Sequence, residues 1–137
     1  MIVKKIALII GMMVVCTALA DGHAATVDDL LAGYQREGAG PFRAEQGERL
    51  LNQVGKESPD ATGNRCADCH TTDPRQRGKH VKTGKEIEPL APAVNSERLQ
   101  DAAKVEKWFL RNCKGTLGRA CTPQEKGDFL TFLLTLK

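Results

Sequence analysis

Beyond residue 13 the chain contains no methionine: all three, Met1, Met12 and Met13, stand at its start. Aromatic residues are scarce as well, 4% of the 137, with one Trp and one Tyr, so side chains alone offer little large apolar surface for a core. The net charge of +3 lacks the strong basic excess of a nucleic-acid binder. No internal repeat, low-complexity tract or long linker divides the sequence. No segment alternates apolar and polar residues as a half-buried strand does, which leaves an all-α class.

A membrane span is also missing. The apolar run from Ile6 to Ala20, preceded by Lys4 and Lys5, is too short to cross a bilayer comfortably. Small-residue sites follow at Ala18-Leu19-Ala20 and Gly22-His23-Ala24, the pattern of a cleaved secretory signal. Residues 1–24 are therefore expected to be a signal peptide and 25–137 one exported, periplasmic domain without stable membrane insertion. Cleavage after Ala24 leaves 113 residues and, with Lys4, Lys5 and Asp21 gone, a net charge of +2. Cys16 follows Val15 rather than the small residue a lipoprotein signal requires, so it is not read as a lipid anchor.

What remains is helical punctuation around an irregular middle. Thr26 precedes Asp28 and Asp29, a capped start for a helix through Arg36, which Gly38, Gly40 and Pro41 break. A second helix is expected over Ala44–Val54, and a third over Ser96–Asn112 with Gly115 as its stop. Thr122-Pro123-Gln124-Glu125 then combines a capping box with proline at the first helical position. Phe129, Phe132, Leu133 and Leu136 form the buried face of that last helix. Residues 55–95 hold four of the six prolines, with glycines among them, and fit turns wrapped around a ligand.

That ligand is indicated by Cys66-Ala67-Asp68-Cys69-His70. The C-x-x-C-H spacing reads as a c-type haem attachment site. Two sulfurs on one turn reach the two haem vinyl groups, and the adjoining imidazole becomes the proximal iron ligand. Three other readings compete with it. A thioredoxin-like pair wants a βαβ context that is absent; a zinc site could combine Cys66 and Cys69 with Cys113 and Cys121; and the cysteines could form a plain disulfide. One covalent haem c would also supply the apolar surface that the aromatic-poor chain lacks.

The second axial ligand cannot be methionine once the signal is removed. His80, Asn112, a lysine, water or nothing remain. His80 lies ten residues after His70, and an extended chain of that length spans roughly 33 Å, although it must also round the haem edge. Cys113 and Cys121 enclose seven residues, and an oxidising compartment favours joining them. Such a closure contributes about 2.5 kcal/mol by chain entropy.

Gly33-Tyr34, Thr83-Gly84-Lys85-Glu86-Ile87, Pro89-Leu90-Ala91-Pro92, Val105-Glu106-Lys107-Trp108, Arg111-Asn112-Cys113, Gly118-Arg119 and Cys121-Thr122-Pro123 follow one another in an order that resembles the sphaeroides haem protein family of class I-like c-type cytochromes. The resemblance covers nearly all of residues 25–137. It implies a class I cytochrome c-like fold and a high-spin monohaem centre, with Asn112 as the distal iron ligand beside a Cys113–Cys121 disulfide. It further implies that the asparagine leaves on reduction, that oxygen or nitric oxide can bind, and that a dihaem cytochrome c or a membrane b-type cytochrome donates electrons. Two rivals stay open: a bis-histidine electron carrier using His70 and His80, and a small oxygen or nitrogen-oxide reductase, for which no proton donor stands out. In this fold Gly47 is expected to let the second helix cross the last one closely, against Phe129 or Phe132.

Overall fold

The computed structural model describes residues 25–55 and 65–137; the expected signal peptide lies outside them. Among these residues five helices and one two-residue ladder follow in the order α1 Val27–Arg36, α2 Ala44–Asn52, α3 Ala67–His70, β1 Gly78–Lys79, β2 Glu86–Ile87, α4 Ala102–Leu117 and α5 Pro123–Thr135. The class is all-α, as expected. No helix among the described residues is long and apolar enough to cross a membrane.

The helix starts follow local chemistry. At α1 the Asp29 carboxylate accepts the Thr26 N–H at 2.7 Å and the Thr26 hydroxyl at 3.1 Å. At α5 the capping box forms fully: the Thr122 hydroxyl accepts the Glu125 N–H at 3.2 Å, and the Glu125 carboxylate accepts the Thr122 N–H at 2.8 Å. The start of α2 is held from a distance. Buried Asp128 on α5 accepts the Arg43 N–H at 2.7 Å and the Gln124 side-chain amide at 2.9 Å, so its carboxylate is buried with partners.

Three local expectations need correction. The helix expected over Ser96–Asn112 begins at Ala102 and continues to Leu117. Leu99 has φ 64°, a left-handed geometry that interrupts a helix and is unusual for a bulky residue. Asp101 then caps the true start by accepting the Lys104 N–H at 3.0 Å. Gly115 is carried inside α4, and the stop falls instead at Gly118, whose φ of 71° forms a left-handed cap. The second helix closes at Asn52, short of Val54. Finally, residues 78–87 contain a short antiparallel ladder, with Gly78 opposite Ile87 and Lys79 opposite Glu86; four residues are too few to alternate recognisably.

The core gathers Leu50 and Leu51 of α2, Cys113 and Leu117 of α4, and Phe129, Phe132 and Leu133 of α5. Phe109 meets Phe129 edge-on with ring centres 6.0 Å apart, a favoured aromatic geometry. The α2–α5 crossing is the close one expected from Gly47. A Cβ on Gly47 would stand 2.3 Å from the Asp128 carbonyl oxygen and 2.7 Å from Phe132 Cβ. Alanine at a free helical position gains up to about 1 kcal/mol over glycine. Gly47→Ala is expected to do the reverse, lowering stability in a denaturant titration of the haem-loaded protein by about 1–3 kcal/mol, the usual cost of overpacking. A gain would mean that the two helices are not in contact here.

Candidate haem site

The C-x-x-C-H segment forms a single helical turn. The Cys69 and His70 N–H groups donate to the Cys66 carbonyl at 3.2 and 3.0 Å, which sets both sulfurs and the imidazole around one turn. Arg65 clips its start. The Arg65 N–H donates to Asp68 Oδ2 at 3.0 Å, and its guanidinium donates to Oδ1 at 2.8 and 3.0 Å. The turn ends abruptly at Thr71, φ 62°, where the Thr71 hydroxyl donates to the Asp73 carbonyl at 2.6 Å.

Cys66, Cys69, His70, His80, Asn112, Cys113 and Cys121 all border one cavity of about 990 Å³. That volume is at the upper end of the range for small-molecule and cofactor pockets. Its apolar wall includes Leu50, Leu90, Leu99, Trp108, Phe109, Phe129 and Leu133. The scattered candidates of the sequence thus meet at a single place.

The donor chemistry fits haem. His70 Nδ1 is buried with no hydrogen-bond partner among the described residues, an arrangement that is costly unless another group completes it. Burial, aided by the positive charge of Arg98, pushes the His70 pKa down to about 4, so the ring is neutral and able to donate a lone pair to a metal. Burial pushes the Cys66 thiol up to about 11, outweighing a backbone hydrogen bond that acts in the opposite direction. A redox-active C-x-x-C pair needs a depressed thiol pKa instead. Cys113 and Cys121 stand at disulfide distance, with Cα atoms 5.6 Å apart, which removes them from a four-cysteine zinc site.

His80 sits where β1 leads into the hairpin. Its N–H donates to the Lys85 carbonyl at 2.8 Å, and its Nδ1 accepts the Thr83 N–H at 3.2 Å. The hairpin leans on α3: a Cβ on Gly78 would fall 2.0 Å from the Cys69 carbonyl oxygen and 3.0 Å from His70 Cα. His80 therefore rises from the wall that carries His70. Asn112 belongs to a separate wall, α4. It lies five residues before the helix ends at Leu117, not at a helix terminus as its neighbourhood of Cys113 and Gly115 had suggested.

Two further sets of contacts escaped sequence reasoning. Glu106 on α4 accepts the Tyr34 hydroxyl and, at 2.6 Å, the Lys126 ammonium, while Lys126 Nζ stands 5.4 Å from the Tyr34 ring centre. This network ties α1 and α5 to the helix bearing Asn112. Burial first, then the hydrogen bond and negative charge of Glu106, hold the Tyr34 hydroxyl well above the usual phenol range. Its members are separated by 72 and 20 residues, so no local spacing announces them. The second is Arg98, whose guanidinium donates to the Pro89 and Glu88 carbonyls at 2.7 Å each.

A haem-sized cavity fed by a C-x-x-C-H turn and enclosed by short helices and long loops defines a c-type cytochrome. The comparisons with known proteins narrow the class. Residues 37–133 match the family described as a domain of unknown function (DUF1924). The cytochrome c-type protein SHP of Cereibacter sphaeroides is 44% identical over 106 residues, 76% of this chain and 79% of that protein. Cytochrome c'' of Methylophilus methylotrophus is 51% identical over 70 residues, 51% of this chain and 49% of that protein. A solved structure of oxidized SHP, described as an oxygen binding cytochrome c, superposes with a TM-score of 0.73 at 40% identity, covering 80% of this chain and 96% of that one. A solution structure of cytochrome c'', described as giving insights into the structural basis of haem-ligand detachment, reaches 0.66 at 37% identity over 80% and 92% of the two chains. The chain belongs to the DUF1924 family and to the SHP family of c-type cytochromes, which carry one covalently attached haem c.

The loop joining α4 to α5 is stabilised by charge as well as by the cysteine pair. Arg119 Nη1 and Nη2 donate to the two Glu125 carboxylate oxygens at 2.8 and 2.6 Å. Those bonds come first among the causes that hold the Glu125 pKa below its ordinary 4.5. A lowered folded pKa adds stability that is fully present above the unfolded value and lost as pH falls through the folded one. Glu125→Gln should therefore flatten the melting temperature against pH below about pH 4.5, relative to the parent protein. Parallel curves for the two proteins would refute the coupling.

Proposed function

We propose that this chain is an exported periplasmic cytochrome whose distal ligand, Asn112, leaves on reduction and opens a position for a small diatomic ligand, oxygen or nitric oxide. In this reading Cys66 and Cys69 are the thioether anchors, His70 is the permanent proximal ligand, and Cys113 and Cys121 form a disulfide in the oxidising compartment. A dihaem cytochrome c or a membrane b-type cytochrome donates the electron. A bound haem, held by Cys66, Cys69 and His70, would supply redox-active iron able to take a small ligand.

The observation that carries the proposal is that α4 brings Asn112 to the cavity lined by His70, in a chain with no methionine after residue 13. An amide oxygen is a hard, weak donor, better matched to ferric than to ferrous iron, so electron uptake loosens it. Because Asn112 lies within α4, its departure is a side-chain movement on a supported helix rather than the fraying of a helix end. The neighbouring cysteine pair and the Glu106 network hold that helix while the side chain moves. The description of SHP as oxygen binding supports the ligand class, and the haem-ligand detachment described for cytochrome c'' supports the release.

His80 borders the same cavity and defines the second reading, a bis-histidine electron carrier. Its place on the hairpin packed against Cys69 and His70 and the engagement of its Nδ1 by Thr83 favour Asn112. Substitution separates the two. Asn112→Ala is expected to change the ferric absorption and electron-paramagnetic-resonance spectra and to raise ferric azide affinity roughly tenfold, about 1.4 kcal/mol. His80→Ala should leave both spectra and affinity unchanged. The opposite pattern would establish histidine ligation and sink the proposal.

A further inference from the structure

We propose that Arg98 is the anion-binding residue of the cavity and holds one of the two propionate carboxylates of the haem. The inference rests on the haem reading above and adds to it the residue that receives the charged edge of the cofactor.

Three arginines border the cavity, and they differ in what they have to bind. Arg65 is committed to Asp68 through the bonds that clip α3. Arg111 stacks over the Trp108 ring at 5.4 Å and is exposed. Arg98 is half-buried and has no carboxylate within ion-pair distance among the described residues. Its Nε and Nη2 donate to the neutral carbonyls of Pro89 and Glu88, leaving the Nη1 amino group and the second Nη2 hydrogen without an acceptor among the described residues. The nearby acidic side chain that could answer it, Glu88, is engaged by Arg77 at 3.2 Å.

A half-buried guanidinium gains when an anion meets it, and its planar fork suits a carboxylate in two-point geometry. The backbone also holds Arg98 in place. Among the described residues, the non-glycine positions with positive φ are Thr71 and Leu99, each immediately following a cavity residue, His70 and Arg98. Strained residues of this kind persist where the surrounding structure over-determines them, and they cluster at functional sites. The carbonyl of Pro89 is gripped from two sides, by Arg98 Nε at 2.7 Å and by the Asn95 side-chain amide at 3.2 Å. The side chain thus combines a fixed backbone, a fixed stem and an uncommitted donor in a cavity whose ligand carries two carboxylates.

The test uses the haem-loaded protein and the variants Arg98→Gln and Arg98→Lys. Haem attachment is checked first by the pyridine haemochrome spectrum; a parent protein without covalent haem would remove the reading on which this inference stands. With haem attached, Arg98→Gln is expected to lower the midpoint potential, because an uncompensated propionate favours the ferric state, and to shift the propionate bending band in resonance Raman spectra. Arg98→Lys should restore most of the potential by returning the charge, while its propionate band stays shifted because the two-point geometry is lost. If Arg98→Gln lowers the melting temperature but leaves potential and band unchanged, Arg98 only clamps residues 88 and 89 and the proposal is overturned. Should the glutamine variant fail to mature, an unshifted propionate band in Arg98→Lys overturns it equally.

Discussion

A cavity of about 990 Å³ in a chain of 137 residues with five phenylalanine or tyrosine rings and one tryptophan sets the terms for everything else. The apolar side chains cannot fill that space, and the core they form is a modest cluster along one flank, where α2 and α5 cross at Gly47 and α4 joins them. The covalent haem of the family is therefore a structural element as much as a reagent. It completes the core, and the loops between α3 and α4 need little regular structure because they wrap a rigid cofactor. Small domains commonly need such a staple.

The same division assigns different work to the two sides of the cavity. On the α3 side the geometry is stiff: a one-turn helix clipped by Arg65 and Asp68, terminated at a strained Thr71, with the hairpin at Gly78 packed on its backbone. On the α4 side the helix is braced by Glu106 with Tyr34 and Lys126, and at the cavity edge by the cysteine pair after Asn112. A ligand that must come and go is best presented by a helix that does not itself move. In the proposed function that is the role of α4, and the exchange is confined to one side chain.

Much of this was legible in the sequence, and for identifiable reasons. Cys66, Cys69 and His70 form a motif whose spacing is dictated by the haem itself, and Thr122-Pro123 with Glu125 is a helix start written in three side chains. Gly47 was readable because a buried glycine at a helix crossing has few other uses. The failures also have causes. The start of α4 was misplaced because Leu99 adopts a left-handed conformation that no propensity favours, and its end because Gly115 was tolerated inside the helix while Gly118 served as the cap. The ladder at Gly78–Lys79 and Glu86–Ile87 is shorter than any detectable alternation. Tyr34, Glu106 and Lys126, like Asp128 beneath Arg43, are joined only by the tertiary fold. Arg98 gave no signal because its partners are main-chain carbonyls, which any sequence can supply.

The central claim is that reduction opens the distal side of the haem. The most direct measurement is the absorption spectrum of the dithionite-reduced protein with and without carbon monoxide. The account predicts a high-spin ferrous spectrum that shifts promptly and completely to that of a low-spin carbon monoxide adduct. A low-spin ferrous spectrum unchanged by the gas would mean that a protein ligand stays bound in both oxidation states, and would contradict it.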